Sequence, residues 1–109
     1  MTLLINGICL RFYIHENHRH NKKLAYEWLL EKASSIGSVN GSVFRATSGF
    51  RSACDGQHND VTDSVMDLTI VVEFILGNTE ADELISTVQQ ARLPVLLTRT
   101  AIEFEKFPG

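Results

Sequence analysis

The side chains best suited to hold a ligand stand in one short run: Arg45, Gly49, Phe50 and Arg51. A guanidinium can pair bidentately with a phosphate or carboxylate, and glycine permits a close backbone approach. The same run also reads without a ligand, as a turn glycine, a packed phenylalanine and two solvated arginines. A second group places His15, His18 and His20 beside Glu16. Imidazoles with a carboxylate can hold zinc or copper. The spacing matches no defined site, however, and loop histidines are ordinary surface groups. A third group sets His58 among Asp55, Asn59 and Asp60, with Cys54 close in sequence. An acid–base pair is conceivable there, yet no serine or cysteine occupies a recognisable nucleophile motif. Binding, not catalysis, is the expectation. Tyr26, Glu27 and Trp28 are explained as core and solvated helix face, with Tyr26 at the border of a cleft between subunits.

The elements that must position these residues follow from periodicity. Leu3 to Ile14 reads as a strand, because Ile8, Leu10, Phe12 and Ile14 alternate with Cys9, Arg11 and Tyr13. The polar stretch Glu16 to Asn21 reads as a turn able to supply a helix cap. Over residues 22–36, Ala25, Trp28, Leu29, Lys32, Ala33 and Ile36 trace one stripe of a helix, stopped by Gly37. Val43 to Thr47 predicts a shorter strand closed near Gly49. From Arg51 to about residue 65 almost nothing asks to be buried, which predicts a long loop. A connection of this length without structure of its own is usually functional or disordered.

Leu68 to Leu76 is the clearest strand. Thr79 and Asp82 resemble a capping box for a helix through Ala81, Leu84, Ile85, Val88 and Ala91, which Pro94 ends. Val95 to Phe104 predicts the last strand. This order is the ferredoxin-like βαββαβ repeat, an α+β fold with two helices on one face of a four-stranded antiparallel sheet. The other face would carry Val71 and Ile75, with Tyr13 and Cys9. An apolar patch of that kind marks association, and self-association normally closes into a cyclic oligomer.

Composition agrees with a small globular protein. The chain has 109 residues, 44% hydrophobic and 21% charged, with a net charge of -3. That length predicts a single domain over residues 1–109. The charge favours neither the phosphate backbone of nucleic acid nor an anionic bilayer, so neither is an expected partner. The two cysteines, with no apolar run of spanning length and no leader pattern, predict a reduced, cytoplasmic setting without membrane insertion.

Four stretches carry a resemblance to a known family. They are Leu10-Arg11-Phe12-Tyr13-Ile14-His15-Glu16; Leu24-Ala25-Tyr26-Glu27 continuing through Glu31-Lys32-Ala33; Gly41-Ser42-Val43-Phe44-Arg45-Ala46 followed by Gly49-Phe50, with His58 beyond; and Asp67-Leu68-Thr69-Ile70-Val71-Val72-Glu73-Phe74. In these the chain resembles the uncharacterised PII-like family known as domain of unknown function 190, within the nitrogen-regulatory PII superfamily. The resemblance implies a homotrimer whose open sheet faces meet. It also implies a partner-contacting loop at about 51–65 and a small-molecule site between subunits near the loop's base. Adenine nucleotides are the common ligands of PII proteins. The ligand-binding candidates are then Arg45, Gly49, Phe50, Arg51, Glu16 and His58.

The chain departs from the family at Ala46 and Arg51, where glycine is usual, and at Thr69, where proline is usual. No glycine-rich, lysine-bearing phosphate cradle of the PII type follows the second helix. Ligand and cofactor identity therefore stay open. The leading expectation is a small regulatory or sensor protein that binds a metabolite and signals through its loop. The alternatives are a metal-binding oligomer using the histidine-rich turn and an assembly module without a small-molecule site.

Overall fold

Alternation of apolar and polar residues builds the sheet, as the sequence predicts. In the computed structural model, residues 3–49, 51–52, 59–60 and 69–109 are described, the pairs 51–52 and 59–60 by their backbone alone. The elements run β1 (Ile5–His15), β2 (Arg19–His20), β3 (Lys23–Leu24), α1 (Ala25–Ile36), β4 (Asn40–Arg45), β5 (Arg51–Ser52), β6 (Asn59–Asp60), β7 (Thr69–Leu76), α2 (Asn78–Ala91) and β8 (Leu96–Phe104). The main sheet has the order β4-β7-β1-β8, antiparallel throughout. This is the ferredoxin-like arrangement.

Both helices lie on one face and close a single core. Leu10, Phe12 and Ile14 from β1 and Ile70, Val72 and Phe74 from β7 are essentially inaccessible, as are Leu29 of α1 and Leu84 of α2. Phe12 and Phe74 meet edge to face, their ring centroids 5.9 Å apart. Gly41 lies opposite Phe74 on β4 because a Cβ there would meet the ring at 3.2 Å. Pairing of Asn40 with Ile75 and of Gly41 with Phe74 carries the strand's start back to Asn40, three residues before the predicted Val43.

Helix ends depart from expectation in physically explicable ways. The polar stretch before α1 does not cap it. Instead it folds into the β2–β3 hairpin, turned by Asn21 (φ 51°) and Lys22 (φ 65°), so the helix begins at Ala25 rather than at residue 22. Two successive left-handed residues give the turn whose twist matches that of paired strands. Gly37 stops α1 as predicted, at φ 109°, with its N–H and that of Ser38 closing onto the last turn. The Thr79–Asp82 capping box does not form. Gly77 is the N-cap, without a side-chain bond, and Asp82 accepts instead from Arg99 Nη1 at 2.8 Å. Arg92, at φ 57°, ends α2 before Pro94 is reached.

The segment expected to be loop throughout carries a short ladder. Arg51 pairs with Asp60 and Ser52 with Asn59, making β5–β6 an antiparallel stem between β4 and β7.

Candidate functional site

Strand order brings together two of the predicted site residues from opposite sides of β7. Arg45 ends β4 and is registered with Ile70, which is registered in turn with Ile14 of β1. Glu16 lies two residues beyond Ile14, just past the end of β1. Ile14 and Ile70 are buried beneath the helices, so Arg45 and Glu16 share the helix-covered side at the end of the sheet where the chain departs toward β5. There the Arg45 guanidinium forms a salt bridge with the Glu16 carboxylate. The two ends of the pair differ in solvation: the arginine side chain is 60% exposed, the glutamate only 16%. The carboxylate therefore depends on this guanidinium more than the guanidinium depends on it. Just beyond, the Ala46 N–H donates to the Thr69 carbonyl at 3.0 Å and extends the β4–β7 ladder to the mouth of the segment.

Gly49 follows at φ 156°, and among the described residues, its chain neighbours apart, no atom lies within 4 Å of the position a Cβ would take. This backbone suits glycine. Arg51 opens β5 by its backbone; its side chain, Phe50 and His58 lie outside the described residues, as do Cys54, Asp55 and most of the segment predicted as a loop.

The histidines of the turn are not gathered about a common point. His20 packs edge-on against Trp28, with centroids 4.7 Å apart, and meets the Asn21 amide. His18 bonds by its backbone N–H to the His15 carbonyl. Among the described residues, no group of three or more histidine, cysteine, aspartate or glutamate side chains is placed to hold a metal ion. Lys32 crosses the Trp28 ring with its Nζ 5.7 Å from the centroid. Lys23 closes the hairpin onto α1 through Glu31, at 2.7 Å.

The face without helices is organised in rows. Phe44, Val71, Tyr13 and Leu96 align through the register of all four strands, forming one apolar row across the sheet. The next row is polar: Ser42, Glu73, Arg11 and Thr98, with Arg11 Nε 2.7 Å from Glu73 Oε2. A mixed row of Asn40, Ile75, Cys9 and Thr100 follows. The sequence predicts Val71, Ile75, Tyr13 and Cys9 on this face, but not the more exposed Phe44 and Leu96 at the strand edges. Cys9 departs from expectation in one respect. It faces this side of the sheet yet is buried, its small side chain flanked in its row by Ile75 and Thr100. Burial pushes its thiol pKa up; the Arg11 charge opposes this and that of Glu73 adds to it. The Arg11 guanidinium is raised in turn, chiefly by its hydrogen bond to Glu73.

Among the described residues, two shallow cavities of about 300 Å³ each lie elsewhere. One lies between α1 and β4 and the other between α2 and β8, and neither includes Glu16 or Arg45 in its lining. Among the described residues, no helix is long and apolar enough to cross a membrane.

The model of the DUF190 family, described as an uncharacterized ACR, matches residues 7–104. Among solved structures, CPII from Thiomonas intermedia K12 bound to ADP, AMP and acetate aligns over 95% of this chain and 93% of its own, with a TM-score of 0.67 and 12% identity. The same protein, described as nitrogen regulatory and PII-like, bound to ADP, AMP and bicarbonate, aligns over 97% and 94%, with a TM-score of 0.68 and 10% identity. A Thermus thermophilus protein described as PII-like aligns over 94% and 92%, with a TM-score of 0.65 and 13% identity. At such identities the likeness establishes the fold.

Proposed function

The chain belongs to the DUF190 family, and on that premise we propose that it is a small, non-catalytic regulatory protein that binds a nucleotide-like metabolite. The site is the sheet end where β4 and β7 give rise to the intervening segment, at a boundary between copies of the chain. The observation that carries this reading is the Glu16–Arg45 pair, which sets two polar side chains side by side at that departure point. Gly49, four residues beyond Arg45, holds a backbone that suits glycine. Structural neighbours named as bound to ADP, AMP and bicarbonate or acetate supply the ligand class.

Three copies would meet through the uncovered sheet face, whose row Phe44–Val71–Tyr13–Leu96 gives it an apolar band beside the polar Arg11–Glu73 row. Signalling would follow from ordering of the segment from about 51 to 65. Ligand contacts at its base offset the conformational entropy lost when its backbone is fixed, roughly 1–2 kcal/mol per residue.

Calorimetry with ADP, AMP and bicarbonate on wild type and Arg45→Ala tests the site. Binding by wild type, weakened about tenfold or more in the variant, supports it. Equal binding by the two proteins removes Arg45 from the site, and no binding of any of the three by wild type defeats the reading. Trypsin digestion tests signalling: cleavage after Arg51 should slow with saturating ADP, and an unchanged rate excludes ordering as the mechanism.

A further inference from the structure

From the Glu16–Arg45 pair we infer that the two side chains act together as a clamp for an uncharged donor–acceptor edge of the ligand, the vicinal diol of a ribose, and not as an anchor for its phosphates. The inference rests on the nucleotide-site reading above and specifies which part of the ligand meets the pair.

Charge argues first against a phosphate. The salt bridge is neutral as a unit, so a bare anion approaching Arg45 finds its positive charge already matched. To capture the guanidinium, the anion must leave Glu16 behind, and that carboxylate is the poorly solvated member of the pair. A carboxylate shielded from water and stripped of its counter-ion is strongly disfavoured. At neutral pH a phosphate also offers mainly acceptor oxygens, which repel the Glu16 oxygens next to the arginine.

Hydrogen-bonding capacity argues for a diol. A guanidinium has five N–H donors and a carboxylate about four acceptor positions, so one salt bridge exhausts neither. A guanidinium and a carboxylate joined by one such bridge keep further donor and acceptor positions side by side. Two neighbouring hydroxyls match that edge, one donating to Glu16 while the other accepts from Arg45, and the salt bridge need not open. An acidic side chain holding a ribose hydroxyl is a recurrent solution in nucleotide sites.

The test is calorimetry with ADP, 2′-deoxy-ADP and inorganic pyrophosphate on wild type and Glu16→Gln. Wild type should prefer ADP to 2′-deoxy-ADP by at least about tenfold, because the deoxy analogue leaves Glu16 without its donor. Pyrophosphate should bind wild type far more weakly than ADP. Glu16→Gln should reduce the diol preference to within about threefold and tighten pyrophosphate about fivefold or more as Arg45 is unmasked. Equal affinity of wild type for ADP and its deoxy analogue overturns the clamp while leaving the nucleotide site standing, and that comparison needs no variant. Pyrophosphate binding as tight as ADP overturns it as well. If wild type binds neither nucleotide, the site itself fails and the clamp falls with it.

Discussion

Replacing Phe44 by serine should dissolve the assembly while sparing the fold. Phe44 lies on the edge strand β4, in the apolar row of the uncovered face, and is 54% exposed in a single copy. A phenylalanine presents about 200 Å², so roughly 100 Å² of this ring still faces water. Covering that area at about 25 cal/mol per Å² contributes about 2.5 kcal/mol per copy. Only part of this survives the entropy of association, which leaves about 1–2.5 kcal/mol, or about 5- to 70-fold per copy. With three copies contributing, the overall association constant should fall by about two to five orders of magnitude. Within the protomer the same change strips a half-exposed side chain from an edge and should alter stability by no more than about 1 kcal/mol. Sedimentation velocity across a concentration series reads the first quantity, and thermal unfolding at low concentration reads the second. If Phe44→Ser assembles at the wild-type concentration, the row is merely solvated and the reasoning from exposure to interface is refuted.

Two further outcomes follow from particular residues. Burial raises the Cys9 pKa above its ordinary value, so the folded state holds this proton more tightly than the unfolded chain. The resulting stability is fully present below the unfolded pKa and disappears as pH rises through the folded value. Stability should therefore decline above about pH 9, by less in Cys9→Ala than in wild type, and equal slopes would contradict the assignment. In the β2–β3 turn, Lys22 holds φ at 65°, a region unfavourable for residues with a Cβ. Lys22→Gly should raise stability by about 0.5–1 kcal/mol in chemical unfolding, and a loss would show that the lysine side chain outweighs its backbone conformation.

The legible part of this protein is whatever repeats locally. Alternation along β1 and β7 separates Leu10, Phe12 and Ile14 from Cys9, Arg11 and Tyr13 without reference to any other strand, and the stripe through Ala25, Leu29 and Ala33 does the same for α1. What depends on register between strands is not legible in this way. Phe44 and Leu96 join the row of Val71 and Tyr13 only once four strands are aligned. Glu16 reaches Arg45 only because β7 is interposed between β1 and β4. Glu16 and Arg45 are both recognisable as candidates, but the contact that pairs them has no local signal.

Turn chemistry misleads at two points. Asn21–Lys22 lacks the glycine that usually marks a two-residue hairpin, which conceals β2–β3. Thr79 and Asp82 have capping spacing, but the chain enters α2 through Gly77, and Asp82 turns to Arg99 on β8 instead. The remaining candidates Phe50 and His58, and the side chain of Arg51, lie outside the described residues.

Native mass spectrometry of the protein with ADP at low micromolar concentration tests the central claim most directly, because one spectrum reads copy number and retained ligand together. The account predicts a particle of three copies carrying ADP, with the ligand lost in Arg45→Ala while the three copies remain. A single-copy particle without ADP under the same conditions would contradict it.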